Sequence, residues 1–269
     1  GAGLHSKTQS LLTLQAQEFD AQGNVIRPNQ QLGLTRAAHA VFGYERMLAE
    51  DIQLKAEAYY QHLYDLPVEN DITSAYSESN TVEWFSNKAL VNEGTGYNTG
   101  VELSLEKFFT RGYHFMATGS FSETKYKALD GVWHNSRFNL GTVANVLAGK
   151  EWKLGASRGK DRVFMAGFRW SVQGGQYYTP IDLEASRTAG ETVFTEDEWS
   201  EKLPAVFKVD VVMSYRVGRP KVSHEFKVDV QNVLNTQTPV GYFYDDRTET
   251  INSYAQLSIL PVVQYTLRF

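Results

Sequence analysis

Apolar and polar residues alternate with a period of two along most of this chain. Between Phe207 and Val217 every odd position is apolar, and the even positions include Lys208, Asp210 and Ser214. Such alternation is typical of a β-strand with one apolar and one polar face. The pattern predicts strands at 34–47, 51–65, 98–109, 112–127, 138–153, 161–176, 205–217, 222–234 and 254–269, and a truncated strand near 1–9.

The connections between these strands alternate in length. Short turns at 48–50, 110–111, 154–160 and 218–221 separate longer segments at 10–33, 66–97, 128–137, 177–204 and 235–253. Short turns on one side and long loops on the other are the asymmetry of outer-membrane β-barrels, with the short side in the periplasm. A water-soluble β-sandwich would also alternate, but its loops have no reason to alternate in length. The fold class we predict is an all-β, antiparallel transmembrane barrel.

The composition narrows the function classes. Mean hydropathy is -0.37, and no segment approaches the roughly 18 uninterrupted apolar residues of a membrane helix. The chain has no cysteine and a net charge of -5, which argues against thiolate metal sites and against nucleic acid as a partner. Aromatic residues reach 13%, a content that suits the aromatic girdles of a barrel.

One hairpin allows a prediction of its register. Gly218 and Arg219 look like the centre of a two-residue turn with glycine first. This turn would place Asp210 opposite Lys227 and Lys208 opposite Asp229. A slip by two residues would oppose Asp210 and Asp229, which is unfavourable. We therefore predict that these four side chains face the lumen as cross-strand charge pairs.

The chain carries no recognisable catalytic motif. Neither G-x-S-x-G nor H-E-x-x-H occurs, and His62 and His134 merely lie near loop ends where Asp65 and Asp130 are available. We expect no catalytic residue, metal ion or cofactor.

The long loops are rich in aromatic and polar residues. Rings bury area and amides orient a ligand, so these loops suit ligand capture, although some rings could belong to a membrane girdle. The candidate ligand-binding residues are Trp84, Tyr97, Trp133, Tyr177, Tyr178, Trp199 and Tyr242.

Several segments resemble one protein family. They are Lys55–Gln61, Val91–Tyr97, Gly100–Lys107, Gln176–Asp182, Asp229–Asn235 and the closing pattern of Tyr265, Leu267 and Phe269. These segments closely resemble the TonB-dependent outer-membrane receptors of Bacteroidetes-type bacteria. The closing pattern is shared by most outer-membrane barrels, so it indicates location more than family.

The resemblance implies a 22-stranded barrel plugged by an N-terminal domain. Residues 1–269 would be the C-terminal part of that single barrel domain, with about ten strands, and the plug and first strands would precede them. Such receptors bind a scarce nutrient outside and import it with energy from the TonB protein. The implied partners are outer-membrane lipid, TonB, the plug, an unknown small nutrient and a surface lipoprotein.

Two other functions remain open from the sequence. A small outer-membrane barrel hydrolase would need a histidine and an acid or serine within hydrogen-bond reach at the rim. A passive porin would need an open lumen.

Overall fold

The computed structural model describes residues 1–19, 21–80, 87–157 and 160–269. The strands of its first half are β1 Ala2–Lys7, β2 Glu18–Phe19, β3 Val25–Ile26, β4 Thr35–Ala49, β5 Ile52–Glu69, β6 Leu90–Thr110, β7 Tyr113–Lys127 and β8 Trp133–Asn135. Those of its second half are β9 Thr142–Ser157, β10 Lys160–Gln173, β11 Tyr177–Tyr178, β12 Glu201–Lys202, β13 Val206–Gly218, β14 Ser223–Gln231, β15 Pro239–Asp245, β16 Thr250–Ala255 and β17 Leu260–Arg268.

The helices are few and short. Helix α1 is Leu11–Leu14, helix α2 is Leu183–Ala189, and two single 3-10 turns occupy Pro28–Gln31 and Glu78–Asn80. Within the described ranges, no helix combines the length and the apolar character needed to cross a membrane.

One antiparallel sheet contains most of the strands. Its order is β1-β4-β5-β6-β7-β9-β10-β13-β14-β17, with β8 added beside β7. Each main strand therefore pairs with the next main strand along the chain. In the described part of the sheet, β1 and β17 each have one neighbour, so the ten strands do not close on themselves. All ten strands predicted from the alternation are present.

Most strand bounds differ from the prediction by four residues or fewer, and the starts of β6 and β17 differ by more. Strand β6 begins at Leu90 because Val91 to Gly96 pair with β5, although the prediction placed them in the long loop 66–97. A Cβ at Gly94 would lie 2.4 Å from Val68 Cγ1, so the close approach of β5 and β6 requires glycine there. The predicted strand 254–269 is too long, because Thr250–Ala255 form a separate hairpin with β15 and β17 starts at Leu260.

Cross-strand pairing places the apolar residues of successive strands on one face. Phe42, Ala58, Val101 and Phe121 form one such row through β4, β5, β6 and β7. This apolar face is the exposed one: Phe42 is 74% exposed and Phe121 is 62% exposed. On the opposite polar face Asp210 is 5% exposed. The burial pattern is the reverse of that of a sheet packed around an apolar core.

The register predicted for the hairpin of β13 and β14 is wrong. Asp229 lies opposite Val212, and Lys227 lies opposite Ser214, so neither of the two predicted charge pairs forms. The four charged residues still share the polar face. Val212 and Ser214 lie on the same face of β13 as Lys208 and Asp210, so their partners Asp229 and Lys227 lie on that face too.

Proline explains the error. The predicted turn would need the backbone N–H of Pro220 to bond the carbonyl of Val217, and proline has no N–H. In the structure the central residues are Pro220 and Lys221, and Arg219 and Val222 exchange hydrogen bonds of 2.8 and 3.3 Å. Proline is favoured at the first central position of a turn, since its φ is already set there.

Disulfide cross-linking tests this register, because the chain has no cysteine of its own. The pair Val212→Cys and Asp229→Cys occupies opposite positions, about 4.5–5.5 Å apart between Cα atoms, so we expect rapid oxidation to a disulfide. The control pair Val212→Cys and Glu225→Cys would be opposite only in the rejected register. It is separated by four residues, about 14 Å, and should stay reduced. Cross-linking of the control pair alone would contradict the register.

A lysine on the apolar face is neutralised by an aspartate in a short turn. Lys107 lies opposite Ile52 and is only 4% exposed in its side chain. Its Nζ is 2.8 Å from the carboxylate of Asp51 and 4.1 Å from the ring centre of Tyr113. Thr110 also donates to Asp51. Hydrogen bonds from Lys107 and Thr110 lower the pKa of Asp51 below its ordinary 3.8.

Removing this counter-ion should destabilise the sheet. Because the folded-state pKa of Asp51 is lowered, its contribution is complete above pH 3.8 and is lost as the pH falls through the lowered pKa. We expect Asp51→Asn to reduce the thermal unfolding temperature at pH 7, because Lys107 then lacks its counter-ion. The double variant Asp51→Asn, Lys107→Met should recover most of the loss. An unchanged unfolding temperature in Asp51→Asn would contradict this role.

Candidate functional site

The segment 174–205 folds back onto the sheet instead of extending from it. Strands β11 and β12 pair within it, and Leu203 N–H donates to the carbonyl of Gln176 at 2.9 Å. Gly175 makes the approach possible, because a Cβ there would lie 1.6 Å from the carbonyl oxygen of Leu203. The neighbouring Gly174 is equally restricted, at 1.8 Å from the carbonyl oxygen of Leu140. Gly175 therefore allows the two ends of the segment to pair, and Gly174 allows its start to lie against the loop that contains Leu140.

Helix α2 lies at the outer part of the same segment. Asp182 caps its N-terminus by accepting from Ala185 N–H at 2.9 Å, and Gly190 ends it with φ of 72°. Thr192 Oγ1 accepts from the backbone N–H of Tyr244 at 3.0 Å. Arg187 donates to the carbonyl of Glu249 at 3.2 Å. The segment is thereby connected to the hairpin of β15 and β16.

A cavity of about 990 Å³ opens between these loops; we call it the loop cavity. It is bounded by residues from 69–80, 87–89, 176–203 and 240–242, and by Glu18 and Arg137. Tyr177, Tyr178, Trp199 and Tyr242 line it, and the rings of Tyr178 and Tyr242 are 5.1 Å apart. Four of the seven predicted ligand-binding residues are thus brought together in one cavity. Their role in binding stays a prediction.

The other predicted ligand residues lie elsewhere. Tyr97 and Trp133 contact each other at 5.1 Å between ring centres, and Tyr60 extends the group at 6.4 Å from Tyr97. Pairing places Tyr97 in the same parity as Val101 and therefore on the apolar face. These three rings suit an aromatic girdle better than a cavity wall. Trp84 lies outside the described residues.

Trp199 is held in an unusual backbone conformation. Its φ is 55°, a left-handed value that is rare for a bulky residue. Its N–H donates to Thr179 Oγ1 at 3.2 Å, and its ring packs against the small apolar cluster that contains Leu66, Val68 and Tyr126. Strained residues of this kind concentrate at ligand sites. The contacts fix the ring before any ligand arrives.

The structure adds charged residues to the loop cavity that the sequence reasoning missed. Glu198 lines it, and burial raises the pKa of this carboxyl group. Glu69 also lines the cavity and is bonded by Lys88 at 2.5 Å and by Ser74 at 2.5 Å. Thr73, through its N–H and hydroxyl, lowers the pKa of Asp71. Glu198 follows no motif, so only its position next to Trp199 could have drawn attention to it.

The charges on the polar face form a network different from the predicted pairs. Asp210 accepts from Arg169 Nε at 2.9 Å and lies 3.3 Å from Lys208 Nζ. Its other contact is the backbone N–H of Asn232, at 2.8 Å. Lys208 also reaches Gln231 at 3.5 Å. Asp210 therefore connects β10, β13 and the end of β14. Within the described residues, Lys227 and Asp229 are not among the partners of Asp210.

Within the segment Asp229–Asn235, which resembles the receptor family, Asn232 has a structural role. Asn232 is 1% exposed and has φ of 51°. Its side-chain amide donates to the carbonyls of Thr236 and Leu257 at 2.9 Å each and accepts from Thr236 N–H at 3.1 Å. Asparagine tolerates this left-handed conformation, so the segment forms the corner where β14 becomes a loop.

A histidine and an acid do meet at the rim. His134 Nε2 lies 2.6 Å from Asp130 Oδ2. Within the described residues no serine or threonine hydroxyl is hydrogen-bonded to His134, so the nucleophile of a triad is not formed there. The same part of the chain contains no group of three or more potential metal ligands.

Comparison with known proteins gives the fold. No protein-family model matches the sequence, and no curated protein matches it. The structure is similar to the ferric yersiniabactin uptake receptor FyuA from Yersinia pestis, with a TM-score of 0.59, 15% identity and 87% of this chain covered. It is also similar to the ferric-catecholate import receptor Fiu from K12 E. coli, with a TM-score of 0.55, 13% identity and 88% covered.

A third solved structure agrees with these two. The outer membrane transporter YddB from Escherichia coli matches with a TM-score of 0.50, 14% identity and 88% of this chain covered. The matches cover 30%, 28% and 33% of the three longer chains, so this chain spans about a third of their length or less. The fold class is therefore that of outer-membrane barrel receptors: all-β, with antiparallel strands.

Substitution at Gly175 should loosen the loop cavity without unfolding the sheet. A Cβ there must displace the backbone of Leu203, at a cost of roughly 1–3 kcal/mol. We expect Gly175→Ala to speed tryptic cleavage after Lys202 about tenfold or more, because local opening becomes easier. Gly119→Ala is the matched control, since a Cβ at Gly119 would meet nothing within 4 Å. Equal cleavage rates in both variants would contradict the role of Gly175.

Proposed function

We propose that this chain is the C-terminal barrel portion of a TonB-dependent outer-membrane receptor that binds a scarce nutrient at its extracellular loops for energised import. The observation that carries the proposal is the similarity of nearly the whole sheet to the uptake and import receptors. The sequence segments that resemble the Bacteroidetes-type receptors support the same assignment. The activity of the whole receptor depends on parts beyond these 269 residues.

The apolar face supports a membrane location. Val228, Val263 and Phe226 form part of a wide apolar surface, and Val263 is 75% exposed. Such a surface is unfavourable in water and favourable in lipid. The main strands from β4 to β13 have 13 to 21 residues, more than the 9–11 or so needed to cross the bilayer. They can therefore cross it and extend into the loops.

The closing residues fit the same orientation. Tyr265 pairs with Phe226 and Leu267 pairs with His224, so Tyr265, Leu267 and Phe269 share the parity of the apolar face. In this proposal they face lipid near the periplasmic side. The free edges of β1 and β17 would pair with the preceding strands of a 22-stranded barrel.

The polar face supports a plug as the inner partner. Glu57 lies directly opposite Glu102, a like-charge arrangement that is unfavourable in an isolated sheet. Lys55 Nζ, 3.3 Å from Glu57, neutralises only part of it. A plug with basic residues would complete the neutralisation. TonB would act through that plug, and a surface lipoprotein would act at the long loops.

We infer a non-catalytic role. The histidine and aspartate at the rim lack a bonded hydroxyl in the described residues, and the neighbouring folds belong to a receptor for uptake, a receptor for import and a transporter. The loops and the loop cavity are then a binding surface rather than an active site.

A pair of adjacent substitutions tests the membrane assignment in the intact receptor. Val228→Arg places a charge on the proposed lipid face and should cost about 2–4 kcal/mol, whereas Asp229→Arg changes the polar face one residue away. We expect a large fall in the heat-resistant, folded band of outer-membrane fractions for Val228→Arg and a small change for Asp229→Arg. Recovery of the wild-type protein in the soluble fraction, or equal tolerance of both substitutions, would contradict the proposal.

The coupling to TonB has its own measurement. The receptor encoded by the intact gene, extracted from outer membranes, should bind the periplasmic domain of TonB in a pull-down assay. Absence of binding by a folded, membrane-located protein would leave a barrel but exclude the TonB-dependent class.

A further inference from the structure

We propose that the loop cavity takes a positively charged organic ligand, with Glu198 as its counter-ion and the rings of Tyr178, Trp199 and Tyr242 as its walls. The inference rests on the proposed function and names the chemical class of the nutrient. It follows from the charges, the burial and the ring positions of the cavity.

The cavity has more acidic than basic side chains among the described residues that line it. Its lining includes the carboxylates of Glu18, Glu69, Asp71 and Glu198 and two basic groups, those of Lys88 and Arg137. Lys88 is bonded to Glu69. Acids therefore exceed bases by two, and the field at the cavity attracts cations.

Glu198 carries most of this argument. Within the described residues its carboxylate takes part in no ion pair or side-chain hydrogen bond, although burial is the largest cause of its raised pKa. Glu198 is half-buried, and partial desolvation of a carboxylate without a partner costs free energy. An ammonium or guanidinium group from a ligand would supply the missing partner and would bind through a charge-assisted hydrogen bond.

The aromatic side chains suit the same ligand. Ring faces attract cations within about 6 Å, most strongly for tryptophan. Trp199 is adjacent to Glu198 and is fixed by Thr179 and the Leu66 cluster. The ring of Tyr178 also lines the cavity, 5.1 Å from the ring of Tyr242. A cation held by Glu198 would thus lie among rings that are already positioned.

The same charges disfavour an anionic ligand. FyuA and Fiu are named for ferric yersiniabactin and for ferric catecholate. A catecholate chelate of iron carries negative charge and would be repelled by Glu198 and Glu18. A neutral sugar would be insensitive to the charge of Glu198, so the two alternatives can be separated from the proposal by experiment.

The test uses the intact receptor purified in detergent micelles, with spermine as the cationic probe in calorimetric titrations. Glu198→Gln should weaken spermine binding about tenfold, since it removes the counter-ion and keeps the shape. Glu196→Gln is the matched control, because this exposed residue lies two positions away and outside the lining, and it should bind like wild type. Maltotriose and ferric enterobactin serve as neutral and anionic comparison probes.

Acidification provides a second readout. Protonation of Glu198 should weaken spermine binding as the pH falls through its raised pKa, which lies at a higher pH than that of an exposed glutamate. The titratable groups that act on Glu198 from the adjoining elements are Glu69 and Lys88, Asp130 and His134, and the phenol of Tyr126. The pH dependence of spermine binding that remains in Glu198→Gln is the part caused by these other groups.

Two results would overturn the inference. One is equal spermine affinity in wild type and Glu198→Gln. The other is binding of ferric enterobactin or maltotriose in preference to spermine, with no loss, or a gain, in Glu198→Gln. Either result leaves the membrane location and TonB binding intact, whereas failure of the proposed function would appear in those two measurements first.

Discussion

The whole structure depends on the fixed two-residue period of a β-strand combined with hydrogen-bonded register. Because successive side chains point to opposite faces, each pairing decides at once which residues of a strand share a face with those of its neighbour. The rows through Phe42, Val101 and Phe121 extend this choice across strand after strand. A shift of one residue in any pair would turn charged side chains into the apolar face. The continuous apolar face therefore constrains the register far more than any single contact does.

The alternation predicted the strands well because it acts within each strand. All ten main strands were found near their predicted positions, and the long and short connections appeared as expected. The bounds failed where another requirement dominated. Strand β6 is longer because Gly94 allows a close approach to Val68, and β17 is shorter because Thr250–Ala255 pair within a loop hairpin.

The hairpin register failed for a different reason. Charge pairing was considered between two strands alone, although a side chain in a sheet has neighbours on both sides. Asp210 finds Arg169 on the other neighbouring strand, so its charge says little about Lys227. The missing N–H of Pro220 was visible in the sequence and would have selected the observed turn.

The candidate site was predictable only in part. Tyr177, Tyr178, Trp199 and Tyr242 were chosen for their residue type and do share a cavity, but the same criterion also chose Tyr97 and Trp133, which lie on the apolar face. Residue type could not separate the two groups, because a girdle and a binding cavity both use aromatic rings. Once the register is known, Tyr97 is assigned to the apolar face, because it lies an even number of residues from Val101 on the same strand. The position of Glu198 in the cavity results from contacts between loops, and the alternation of apolar and polar residues does not predict such contacts.

The backbone contacts at Gly174 and Gly175 bear on how such a protein can change during evolution. The two ends of the segment 174–205 are held together by main-chain groups, the Gln176 carbonyl, the Leu203 N–H and Gly175, and Gly174 lies close to the Leu140 carbonyl. Main-chain attachment makes few demands on the side chains between these points. A residue such as Glu198, whose side chain makes no ion pair or hydrogen bond within the described residues, can therefore vary while the two ends of the segment stay together. A lineage could in this way change the lining of the loop cavity through a handful of substitutions, without altering the strands of the sheet.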